Sequence, residues 1–125
     1  MSEARDRDAA RAALERLRRW GGEPLVREMA TLFAESVAER TSELRAGAAA
    51  VDRMVMSRAA HALKTSCGQM GADAAVRLCR AIEDGAATET DAALQRLTVR
   101  LADECAEFLA WLRAELATLD PGTRA

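Results

Sequence analysis

The chain has no tyrosine, and its aromatic residues are two phenylalanines and two tryptophans. So thin a supply of aromatic and β-branched side chains argues against sheet, whose pleated faces such residues fill best. Histidine and lysine each occur once, as His61 and Lys64. One histidine and three scattered cysteines give no spaced ligand set, which argues against a zinc site or any other metal centre. The cysteines, Cys67, Cys79 and Cys105, are odd in number and read as small apolar core residues in a reducing compartment. No Gly-rich phosphate loop and no carboxylate cluster is present to cradle a nucleotide and its magnesium. The net charge is only −2 and the isoelectric point is near 5.5, against the basic balance of a nucleic-acid binder. Residues 1–19 alternate charge with alanine, without the apolar stretch of a signal peptide. No run reaches the apolar length of a membrane span. A soluble cytoplasmic protein is expected.

Alanine, leucine, arginine and glutamate, all strong helix formers, dominate what is there. With 125 residues, a single domain with its own core is the default. Five helical segments follow from the spacing of apolar residues. The first spans residues 8–20, with Ala13, Leu14, Leu17 and Trp20 on one stripe. Gly21-Gly22 breaks it, and Pro24 suits the first turn of the next helix. That second helix carries Leu25, Met29, Leu32, Phe33, Ser36, Val37, Arg40 and Leu44, and fades through residues 46–48. The third spans 51–70 and ends at Gly71. The fourth spans 72–84, faces Ala75, Leu78, Cys79 and Ile82 inward, and closes at Gly85. Thr88 and Thr90 are candidate caps for the fifth, and Asp91, three residues after Thr88, resembles a capping box. The fifth carries Leu94, Leu97, Leu101, Cys105, Phe108 and Leu112 before Asp120-Pro121-Gly122 stops it. The arginines of residues 16–19 read as a solvated face with intrahelical partners such as Glu15. The expected fold is all-α: an up-and-down antiparallel four-helix bundle, with an additional short N-terminal helix over one end. The helical core covers residues 8–118, residues 119–125 form a flexible tail, and a self-contained bundle favours a monomer.

On a helical wheel of the third segment, at about 100° per residue, Ala59, Leu63, Ser66 and Met70 oppose His61. Met56 and Cys67 flank them. Met54, Ser57, Arg58, Lys64, Thr65 and Gly68 lie within about 60° of His61. His61 is therefore centred on the polar face. A neutral imidazole is a good nucleophile near pH 7. A neighbouring ammonium favours the neutral ring and can hold phosphoryl oxygens as a point charge. Gly68 inside a helix costs about 1 kcal/mol relative to alanine, so it asks for a reason: close packing, fraying near Gly71, or room for a partner. Met54 is either partly buried or an adaptable exposed contact.

The segment His61-Ala62-Leu63-Lys64-Thr65-Ser66-Cys67-Gly68-Gln69-Met70-Gly71-Ala72 resembles the signature of histidine phosphotransfer (HPt) domains. The pattern is a histidine, a hydrophobic residue two later, a lysine three later, small residues, then hydrophobic-Gly-Ala. Ala59-Ala60 before it and Leu78-Cys79-Arg80-Ala81-Ile82-Glu83 after it are also similar to the family. The resemblance implies a carrier in a two-component phosphorelay, passing a phosphoryl group between aspartates of receiver domains. His61 would be the phosphorylated residue and Lys64 would stabilise the phosphoryl group. Gly68 would leave room for the receiver, which would dock on Met54, Ser57, Arg58, Thr65, Gly68 and Gln69. The family usually has glycine after the lysine, and here that position is Thr65, which bears on the range of partners. The module would have no cofactor and no ATP-dependent kinase activity, because magnesium and the aspartyl phosphate belong to the receiver.

Two other readings compete. A helical module could bind a receiver or another regulator without carrying phosphate, His61 being incidental. The dimerising phosphotransfer domain of a sensor kinase usually has an acidic residue beside its histidine, whereas Ala60 and Ala62 flank His61.

Overall fold

The computed structural model describes residues 2–118, with side chains from Arg7 onward. Those residues form four helices: α1 (Ser2–Ala50), α2 (Arg53–Gln69), α3 (Asp73–Gly85) and α4 (Asp91–Thr118). Each packs on the next, and α1 also packs on α4, which closes the ring of a bundle. The connections, residues 51–52, 70–72 and 86–90, are short enough to make consecutive helices run in opposite directions. The expected tail, with its Asp120-Pro121-Gly122 stop, lies outside the described residues.

The break expected at Gly21-Gly22 falls inside α1, as a kink at Gly22, whose φ of 71° and ψ of −170° are not helical. Residues 2–21 form an arm on the N-terminal side of that kink. The arm buries Ala10, Ala13 and Leu14. Its backbone seats on Gly71, where a Cβ would come within 2.6 Å of the Ala9 carbonyl oxygen. The Arg7 guanidinium lies over the rings of Phe108 and Trp111, at 5.3 and 5.6 Å from their centroids. Arg11 pairs with Glu115 at 3.8 Å. Trp20, expected on the buried stripe, is 78% exposed. The buried part of that stripe ends at Leu14, Leu17 is half-buried, and Trp20 lies two residues before the kink. Arg18 pairs with Glu23 across the kink.

Local signals fix where the helices stop. Gly71 sits at φ 72°, its N–H donates to the Gly68 carbonyl, and Ala72 N–H donates to the Cys67 carbonyl at 2.9 Å. That pair of bonds is a Schellman motif, which satisfies the last carbonyls of α2. The same pattern ends α1, where Asp52 N–H donates to the Gly47 carbonyl at 2.8 Å. Its left-handed residue is Val51, at φ 55°. The third segment therefore begins later than its periodicity implied. Asp52 caps α2 by accepting from Val55 N–H at 3.1 Å. Thr90, not Thr88, caps α4, accepting from Ala93 N–H at 3.1 Å.

In α1 beyond the kink, the buried face is Val26, Ala30, Phe33, Val37, Leu44 and Ala48. The expected stripe shares only Phe33, Val37 and Leu44 with it. Leu25, Met29, Ser36 and Arg40 are half-buried, and Leu32 is 51% exposed. Two neighbouring stripes cross at the shared residues, and contact with α2 and α4 decides between them. Elsewhere the inward residues fall as expected, except for the exposed Trp20 and for Leu17, Leu78, Leu97 and Ser66, which are half-buried. Phe108 is fully buried and meets Phe33 edge-on, with centroids 5.5 Å apart. Cys67, Cys79 and Cys105 are free, buried thiols on α2, α3 and α4. Hydrogen bonds with Cys105 and Cys79, together with burial, push the Cys67 thiol up, away from the reactive thiolate.

Candidate functional site

α2 turns Met56, Ala59, Ala60, Leu63 and Cys67 into the core. The opposite side of the cylinder is then left to solvent, and His61 stands there with a side chain 67% exposed. Its Nδ1 lies 2.8 Å from Glu83 Oε2 on α3. An ionised carboxylate has only acceptor sites, so this bond needs the proton on Nδ1. In the neutral ring Nε2 is then the nitrogen with the free lone pair.

Lys64, one turn further along α2, is half-buried and turns toward α3. Its Nζ lies 2.6 Å from Glu83 Oε1. Glu83 thus takes His61 on one oxygen and Lys64 on the other. Burial pushes the Glu83 carboxyl up, but the Lys64 ammonium and the His61 ring outweigh it and hold the carboxyl below its ordinary value. Glu83 is the residue that reasoning on one helix missed. Its partners lie on another helix, 22 residues back from it in the case of His61. The available signal was its place at the end of the second family-like segment.

The expected docking residues share one side of α2. Met54 is 63% exposed and so is not part of the core. Arg58, Thr65, Gly68 and Gln69 are also exposed, and Ser57 is half-buried. A Cβ on Gly68 would meet nothing within 4 Å, so close packing is not its reason. The Thr65 hydroxyl donates to the His61 carbonyl at 3.4 Å, back along its own helix. Gln69 joins Met29, Leu32 and Ser36 around a shallow cleft between α1 and α2. Ser36 and Ser66 bridge that cleft through a 2.7 Å hydrogen bond.

Among the described residues, no helix is long and apolar enough to cross a membrane. The family model for the Hpt domain matches residues 28–120, which takes in α2, α3, α4, and α1 beyond the first residues after its kink. Neither the curated proteins nor the solved structures hold a match to this chain. An exposed histidine on a bundle helix, paired by its neighbours and lying within a match that covers most of the sequence, gives the assignment: this chain belongs to the Hpt domain family.

Proposed function

We propose that the protein carries a phosphoryl group on His61 between aspartates of receiver domains, in a two-component phosphorelay. The observation that supports this most is the presentation of His61: exposed, with Nδ1 engaged by Glu83 and Nε2 left as nucleophile.

The transfer needs little from this chain. Nε2 attacks the phosphorus of an aspartyl phosphate in line with the leaving oxygen. The P–O bond breaks, and its electron pair leaves with the aspartate carboxylate. The ring, now substituted on Nε2, keeps its proton on Nδ1, which goes on donating to Glu83. In the onward step a receiver aspartate oxygen attacks the same phosphorus, and the P–N bond returns its pair to Nε2. No proton has to move in either direction. Charge compensation comes from Lys64 and from the magnesium ion expected in the receiver. The chain supplies no nucleotide site of its own in this reading, so it is a carrier and not a kinase.

Docking uses the face around His61. Gly68, with open space above it, lets the receiver backbone approach. Met54, Arg58, Thr65 and Gln69 surround the histidine with exposed side chains of mixed character, and Ser57 lies at the edge of that face. A cytoplasmic monomer is the state in which this face stays open to successive partners.

The test is transfer from a phosphorylated receiver. Wild-type protein should take up label that is acid-labile and base-stable, and His61→Gln should take up none. Lys64→Ala should slow uptake and leave the bundle folded. Receiver binding without label would favour the non-carrying module instead.

A further inference from the structure

Glu83 holds two partners that a phosphoryl group on His61 would set in competition. Oε2 takes His61 Nδ1 at 2.8 Å and Oε1 takes Lys64 Nζ at 2.6 Å. The side chains of Lys64 and Glu83 are only 27% and 18% exposed, so water screens the pair incompletely. In this state the ammonium is committed to α3. Yet Lys64 stands three residues from His61 on one helix, within reach of anything attached to the ring.

A phosphoryl group on Nε2 would add a charge of roughly −1.5 to −2 and three strong acceptor oxygens. At comparable distance its pull on an ammonium is up to about twice that of a carboxylate. The lysine stem is flexible and its charge compact, so re-aiming it needs only rotamer changes. We propose that phosphorylation of His61 hands Lys64 from Glu83 to the phosphoryl oxygens, and that Glu83 then serves as the counter-charge of the phosphorylated ring. The proposal rests on the carrier reading above and assigns Glu83 as a positioning residue within it.

The handover changes what Glu83 does. While the ring is neutral, the carboxylate orients it and shares its charge with Lys64. Once phosphorylated on Nε2 with Nδ1 still protonated, the ring is cationic. A carboxylate freed of Lys64 then stabilises that cation in full. Holding the proton on Nδ1 keeps the departing group a neutral imidazole, and so keeps the P–N bond ready to break. The pair therefore adjusts between accepting and releasing the phosphoryl group without a change in fold.

The experiment uses the whole chain and phosphoramidate, a small donor that needs no receiver. The ³¹P signal, the ¹⁵N signal of Lys64 Nζ and the ¹³C signal of Glu83 Cδ are recorded with and without phosphorylation. Wild type, Glu83→Gln and Lys64→Met are compared. Before phosphorylation, Glu83→Gln should move the Lys64 signal and Lys64→Met should move the Glu83 signal. After it, the Lys64 signal should no longer respond to Glu83→Gln, and the ³¹P signal should respond to Lys64→Met. A Lys64 signal equally sensitive to Glu83→Gln in both states overturns the handover while leaving the carrier reading standing. Absence of any His61-dependent ³¹P signal removes both. Glu83→Gln keeps an acceptor for Nδ1 but loses the charge. It should slow onward transfer from phosphorylated His61 by about tenfold at alkaline pH, because an uncharged acceptor leaves fewer rings with the Nδ1 proton that lets them depart as neutral imidazole. Unchanged onward transfer would overturn the counter-charge role.

Discussion

His61 and Glu83 meet through a 2.8 Å hydrogen bond between α2 and α3, and the same carboxylate reaches Lys64 at 2.6 Å. A single acidic side chain thereby orients the nucleophile and holds the one lysine of the sequence.

Acid should dissolve this arrangement. The folded-state value of Glu83 is lowered from 4.5. A carboxyl of that kind adds stability that is present above its ordinary value and is lost as pH falls through the lowered one. The Tm difference between wild type and Glu83→Gln should therefore shrink as pH falls from about 6 to about 3. Thermal unfolding followed by circular dichroism at each pH checks this. A difference that is constant over the range would mean the carboxylate is not held ionised by its partners.

Gly68 separates folding from access. Alanine there meets open space, so Gly68→Ala should raise stability by about 1 kcal/mol through helix propensity. A tryptophan at the same place should leave the bundle folded and still let phosphoramidate reach His61, while blocking transfer from a receiver. Denaturant titration and the two labelling assays distinguish these effects. Equal loss with both donors would place the fault in the histidine's surroundings instead of in docking.

The two left-handed helix ends should respond in opposite directions. Val51 adopts φ 55° with a β-branched side chain, so Val51→Gly should stabilise by about 0.5–1 kcal/mol, net of glycine's larger entropy loss. Gly71→Ala should destabilise by about 1–3 kcal/mol from backbone strain alone. Its Cβ would also press on the Ala9 carbonyl of the arm, at 2.6 Å. Urea midpoints measure both. Equal and small effects would argue against the arm's seat on the bundle.

These particulars show how far one dimension reaches. The exposure of His61 and the closeness of Lys64 were legible because both sit on one helix, where 100° per residue decides the outcome. Gly71 was legible because a helix end needs a left-handed residue, and glycine supplies it. The direction in which Lys64 points was not legible, since its partner lies on α3. The rotation of α1 was not legible either. Leu25, Met29 and Leu32 make as good a stripe as Val26, Ala30 and Phe33, and only packing against α2 and α4 chooses. Trp20 shows the same limit: its spacing fits the arm's stripe, but the buried part of that stripe ends at Leu14 and Trp20 is 78% exposed.

The most direct measurement is which atom carries the phosphoryl group. Protein with ¹⁵N-labelled histidine, phosphorylated and examined by ¹⁵N and ³¹P NMR, should show phosphorus bonded to Nε2 of His61 and a proton on Nδ1. Phosphorus on Nδ1, or label retained after His61→Gln, would contradict the account.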